Sequence, residues 1–251
     1  MNQKQILRHN FFKTTSLGMA LLSLGMASAA TPTSQAAAGE QPNFIIIFTD
    51  DQGYQDLGCF GSPDIDTPHL DKMAAEGMKF TDFYAVASVC GPSRAGLITG
   101  SYPRRANNGK DFGNVFPRHD HGLDTESTTI AEMLKQVGYT SACIGKWHLG
   151  HQPKYLPTNR GFDSYYGIPY SNDMNGGNHR GMKFADDINW REGASPDNLK
   201  TSKKRVRRGW VPLMRDEEVI EFPCDQKKLT RSYTREALDF ISANKERPFL
   251  L

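Results

Sequence analysis

Cysteine is scarce. Cys59, Cys90, Cys143 and Cys224 are the four in 251 residues. Their spacings match no zinc pattern, and four are too few for a disulfide-stapled scaffold. Charge of one sign is missing too: 30 Lys and Arg face 28 Asp and Glu, a formal net charge of +2. Nothing in that balance marks a nucleic-acid binder. There is no collagen-like period, no heptad and no internal repeat, which excludes fibrous and solenoid architectures. The apolar run "LGMALLSLGMASAA" (17–30) is too short to span a bilayer. What remains is a chain long enough to bury one sizeable core.

That apolar run has a different use. Lys4, Arg8 and Lys13 precede it, and Ala27-Ser28-Ala29 has the A-x-A form of a cleavage site. Residues 1–29 therefore read as a signal peptide, and the protein as exported, periplasmic or secreted, with no membrane span after cleavage. Residues 30–42 read as a flexible lead-in, and 43–251 as the folded part.

"NFIIIF" (43–48) has the continuous apolar pattern of a strand covered on both faces, and Thr49, Asp50 and Asp51 follow it. In "TPHLDKMAAEG" a helix opens at Thr67-Pro68 and stops at Gly77; "MKFTDFYAV" (78–86) then reads as a strand. Another helix starts at or near Cys90, with Pro92 in its first turn and Gly100 at its end. Thr129 and Glu132 form a capping box, closed by Gly138, and the strand "YTSACIG" runs into "KWHLG". "KKLTRSYTREALDFISANKE" is an amphipathic helix, and "RPFLL" begins a strand. Helices alternating with buried strands predict an α/β domain with a mostly parallel central sheet and flanking helices. In such sheets binding groups gather past the carboxyl ends of strands, where Asp50-Asp51 and Lys146/His148 lie. Residues 152–225 read as a loop-rich insertion with at most a small hairpin. Its basic run "KKRVRR" (203–208) is either a grip for an anionic substrate or a solvated loop.

Three clusters carry chemistry, each with two readings. Adjacent carboxylates after a buried strand suit a divalent cation with hard oxygen ligands, or merely a turn. Cys90 beside a helix N-terminus is a nucleophile with His148 as its base, or a structural thiol. Lys146 and His148, two apart on an extended segment, aim together at an oxyanion, or are incidental loop residues.

"CGPSRAGLITG" (90–100) resembles the signature of the type I sulfatases, C-x-P-S-R-x-x-x-L-T-G, with Ile98 where leucine is usual. "NFIIIFTDDQGY" resembles that family's metal-binding first strand; "GKWHLG" (145–150) and "GFDSYYGIPYSND" (161–173) resemble two further motifs, all in the family order. The resemblance implies the alkaline-phosphatase/sulfatase fold. It implies that a formylglycine-generating enzyme converts Cys90 to an aldehyde that hydrates to a geminal diol. One hydroxyl attacks sulfur; the second, once deprotonated, expels sulfate. Asp50, Asp51 and the modified Cys90 would ligate Ca²⁺, Arg94 and Lys146 would hold the diol and offset sulfuryl charge, and His148 would be the base. Ser171 would hydrogen-bond near the modified residue, on the substrate side with Lys146. The expected substrates are sulfated carbohydrates. The family also uses a later sulfate-binding histidine, an Asp-Asn pair and a further lysine, so this chain is expected to be the N-terminal portion of a catalytic domain and inactive alone. Two other readings stand beside it: a phosphodiesterase or phosphonate hydrolase of the same superfamily, and a non-catalytic glycan-binding fragment.

Overall fold

A computed structural model describes residues 41–174, 182–195 and 209–251. The predicted signal peptide and the "KKRVRR" run lie outside the described residues. The strands are β1 Thr140–Ile144, β2 Ser164–Gly167, β3 Lys183–Trp190, β4 Leu213–Arg215, β5 Glu218–Phe222 and β6 Phe249–Leu250. They form a six-stranded sheet in the order β3-β5-β4-β2-β1-β6. Strand β1 runs parallel to both its neighbours, β3 runs parallel to β5, and only β4 runs against its neighbours. The helices are α1 Pro68–Glu76, α2 Cys90–Thr99, α3 Pro103–Ala106, α4 Ile130–Lys135 and α5 Leu229–Asn244. The expected α/β class, mostly parallel with flanking helices, is what the chain adopts.

Local signals placed several elements. The Thr129 hydroxyl accepts from Glu132 N at 3.1 Å, and the Glu132 carboxylate accepts from Thr129 N at 2.9 Å. Behind this box lies Arg160, only 1% exposed. Its guanidinium donates to Glu132, Ser127 O and Leu123 O, so a cation that would be costly to bury unpaired instead ties α4 to the loop before it. Helix α2 ends where Gly100 turns left-handed, at φ 62°, and donates to Gly96 O at 2.9 Å.

Three expectations need correction. Residues 43–48 do not form a strand covered on both faces. Phe44 makes a single bridge to Leu250, Ile46 N donates to Leu251 O at 2.7 Å, and the side chains of 44–48 are 39–73% exposed. Strand β1 pairs with β6 at two positions, Thr140 opposite Phe249 and Ser141 opposite Leu250. Beyond that point a cavity of about 510 Å³ separates Ile46 and Phe48 from Ala142–Ile144, with Leu250 and Leu251 also on its wall. Residues 78–86 form no strand either. The Tyr54 hydroxyl donates to Phe83 O and accepts from Phe83 N, occupying backbone groups that a ladder would use. Finally, 152–225 is more than loops and a hairpin: β4–β5 is the hairpin, but β2 sits at the middle of the sheet and β3 lies at its edge.

All four cysteines are free. Burial pushes the Cys143 thiol up to about 12, in keeping with a small apolar side chain facing the cavity.

Candidate active site

The turn after residues 43–48 delivers Asp50 to two cations. Lys146 Nζ lies 2.8 and 3.0 Å from its carboxylate oxygens, across 96 residues of sequence. Arg94 Nη2 is 3.7 Å away. Burial pushes the Asp50 carboxyl up, but the hydrogen bond and charge of Lys146 and the charge of Arg94 outweigh it, so the group sits below the ordinary carboxylate range and stays ionised. Arg94 itself is positioned twice more: its Nη1 donates to Lys146 O at 2.5 Å, and its guanidinium lies 5.4 Å from the centre of the Phe48 ring.

Cys90 is the first residue of α2, one turn before Arg94. Its Sγ lies 3.4 Å from Asn114 Oδ1, and the same oxygen accepts from Gly91 N at 2.8 Å. Asn114 thus satisfies an orphan amide of the helix from a distant loop. A Cβ on Gly91 would come within 2.9 Å of that oxygen and of Gly113 O, so a larger residue there would require the Asn114 loop to shift. Sequence reasoning missed Asn114, because "FGNVF" carries no local pattern that points 24 residues back.

His148 is buried, with a left-handed φ of 64°. Its Nε2 lies 3.1 Å from Val115 O. A carbonyl only accepts, so Nε2 carries the hydrogen and Nδ1, which has no partner, keeps its lone pair. Burial, then the charges of Lys146 and Arg94, push its pKa to about 4. The expected extended segment with Lys146 and His148 on one side is therefore corrected: the left-handed turn sends the imidazole to Val115 while the ammonium goes to Asp50. Asp51, exposed at φ 52°, and Ser171, half-buried, are not joined to this cluster by any hydrogen bond described; Asn172, next to Ser171, lines the cavity below it. Among the described residues no group of three or more His, Cys, Asp and Glu converges as a metal cage. Asp50 and Asp51 have the donor chemistry for a hard cation.

A pH dependence follows. Burial also pushes His151 to about 4. Both histidines stay neutral in the fold while unfolded histidine titrates near 6.5, so unfolding takes up protons below about pH 6.5. Stability is full above that pH and falls as pH drops toward 4, by up to about 2.7 kcal/mol per unit for the pair. Urea midpoints at pH 7 and 5 should differ accordingly, and His151→Phe should halve the slope. An unchanged midpoint would contradict it.

The sulfatase family model matches residues 42–251. Arylsulfatase G of Rattus norvegicus is 39% identical over 250 residues, covering 96% of this chain and 45% of the relative. N-acetylgalactosamine-6-sulfatase of Mus musculus is 35% identical, covering 93% and 41%. Among solved structures, one described as Ps i-CgsB in complex with k-i-k-neocarrahexaose matches with a TM-score of 0.65 and 30% identity, over 84% of this chain and 44% of that one. Another, in complex with its substrate D-glucosamine-2-N,6-O-disulfate, matches with a TM-score of 0.56 and 27% identity, over 84% and 33%. The chain spans less than half the length of these relatives.

Proposed function

Because the chain belongs to the sulfatase family, we propose that the protein carrying it hydrolyses sulfate esters of carbohydrates at the corner formed by Asp50, Arg94, Lys146 and Cys90. The observation that carries this reading is the position of Arg94: one turn from Cys90 on α2, it bridges the Asp50 carboxylate and the Lys146 carbonyl. Formylglycine made from Cys90 by a formylglycine-generating enzyme would supply a carbon bearing two hydroxyls. Asp50 and Asp51 would hold Ca²⁺, which when bound polarises a sulfate oxygen. The chain's own groups do the rest. Lys146 and Arg94 offset negative charge growing on the sulfuryl oxygens. The N-terminus of α2, aimed at Cys90, favours an anion there. Neutral His148 has a free Nδ1 able to take a proton. Ser171, beside Asn172, is assigned to the substrate side. The signal peptide at 1–29 fits an exported, periplasmic or secreted enzyme that meets polysaccharides outside the cytoplasm. Two relatives, one named for N-acetylgalactosamine and one bound to a glucosamine disulfate, favour a carbohydrate over an aryl substrate.

The test is turnover by the protein expressed from its full reading frame together with a formylglycine-generating enzyme. Sulfate release from an aryl sulfate and from a sulfated disaccharide is expected, and a calcium chelator should remove it. Release of phosphate from an aryl phosphate in place of sulfate would favour the phosphodiesterase reading. Glycan binding without any turnover would favour the binding fragment.

A further inference from the structure

The loop of residues 114–123 is fastened to the site along its length. Asn114 caps Cys90 and Gly91, Val115 O faces His148, and Leu123 N donates to Leu149 O at 2.7 Å. At Gly122 a Cβ would lie 2.4 Å from Leu149 O, so the loop packs directly on the "KWHLGH" segment. Between these anchors residues 116–119 make a turn, closed by His119 N donating to Phe116 O at 2.9 Å. Phe116 N donates to His119 Nδ1 at 3.2 Å, which leaves Nε2 as that ring's donor. The His119 and His121 rings stack at 4.6 Å, 23° from parallel, and the Arg118 guanidinium sits 4.5 Å from the centre of the Phe116 ring. Burial and the charges of His121 and Arg118 lower the pKa of His119, and nearby Asp120 offsets this in part. Two imidazoles and a guanidinium on one turn bring several hydrogen-bond donors together, with Asp120 as the one carboxylate named among their charge partners.

A second observation lies beneath. His151 is 1% exposed, and neither ring nitrogen has a partner. Its charge couples to His119, and its ring meets Tyr170 edge-on at 6.0 Å. A buried imidazole without hydrogen bonds is costly unless a hydroxyl or water completes it.

We propose that residues 116–121 form a second anion-reading subsite of the same active site. Arg118 and the His119–His121 stack would bind a sulfate or carboxylate on the sugar next to the one that loses its sulfate, with the buried His151 ring behind His119 completed by a water. This rests on the sulfatase reading. Arg118 follows Asn114 by four Cα–Cα steps, so their Cα atoms are at most about 14 Å apart, a distance that a short oligosaccharide spans. Arginine suits the planar, multi-oxygen target, and the stacked imidazoles add directed donors.

The experiment compares two substrates on the full-length, calcium-loaded enzyme: an aryl sulfate with one charge and a disulfated disaccharide. Arg118→Gln, and His119→Gln with His121→Gln, should raise KM for the disaccharide about tenfold each, one lost charge-assisted contact apiece, with kcat kept and aryl sulfate kinetics within about twofold. Calorimetric binding of the disaccharide to Cys90→Ala should weaken by a similar factor when Arg118→Gln is added. Cleavage of both substrates with equal changes in KM, or with none, overturns the subsite alone. Cleavage of neither substrate by the unmutated enzyme overturns the sulfatase reading and the subsite with it.

Discussion

Cys90→Ser is expected to leave the fold intact and stop turnover, lowering kcat by at least about a thousandfold. The thiol makes one contact, 3.4 Å to Asn114 Oδ1, at the start of α2. A serine hydroxyl keeps a donor toward the same oxygen at a helix end where serine is well tolerated, so stability should shift by no more than about 0.5 kcal/mol. Chemistry separates the two residues. Serine has one hydroxyl, and once sulfur is attached to it no second oxygen on that carbon can expel the sulfate. The variant should release one alcohol per protein in a single burst, and its mass should rise by one SO₃ and remain there. Repeated turnover by the serine variant would remove Cys90 from its assigned place.

Lys146→Ala is the second large effect. The ammonium is the nearest cation to Asp50, and its side chain is only 10% exposed. Under the proposed mechanism, removing it takes away one preorganised positive group for the sulfuryl oxygens, which is expected to cost about 10²–10³ in kcat/KM. It also leaves Asp50 with Arg94 alone, at 3.7 Å. The Asp50 carboxyl then loses the hydrogen bond that offsets its burial, and its pKa rises. The acid limb of the activity profile should therefore move to higher pH, because in the proposed site it is the ionised carboxylate that would hold the cation. An arginine at 146 should restore part of the rate and return that limb. A rate loss with an unmoved acid limb would mean that Lys146 does not set the state of Asp50.

What the chain declared locally, the fold repeats. Gly100 and the Thr129–Glu132 box marked their helix ends because capping is settled within four residues. Strand β1 was legible for a similar reason, being a short apolar run between a glycine stop and a glycine turn. The segments 43–48 and 78–86 are not strands because pairing is a relation between distant segments: a cavity lies between the first and Ala142–Ile144, and the second has its backbone taken by Tyr54. Strand-end topology pointed to Asp50 and Lys146 sharing one edge, and the spacing on α2 together with the family resemblance added Arg94. The left-handed backbone at His148 and the Asn114 cap were not legible, since neither a non-glycine positive φ nor a contact across 24 residues leaves a mark in local sequence.

The bond from Phe249 N to Asn43 Oδ1 spans 206 residues, and with the Phe44–Leu250 bridge it is how the first segment finds the sheet. A ribosome adds about 5–20 residues per second, so the start of the domain waits roughly 10–40 s for its neighbour to be made. Throughout that interval the segment that supplies Asp50 has no sheet to join, and Arg94 has no Lys146 carbonyl to bind until "GKWHLG" has emerged. The peptide around Cys90 therefore passes through a window, set by the distance along the chain between the first segment and β6, in which the partners that hold it in the folded domain are not all present.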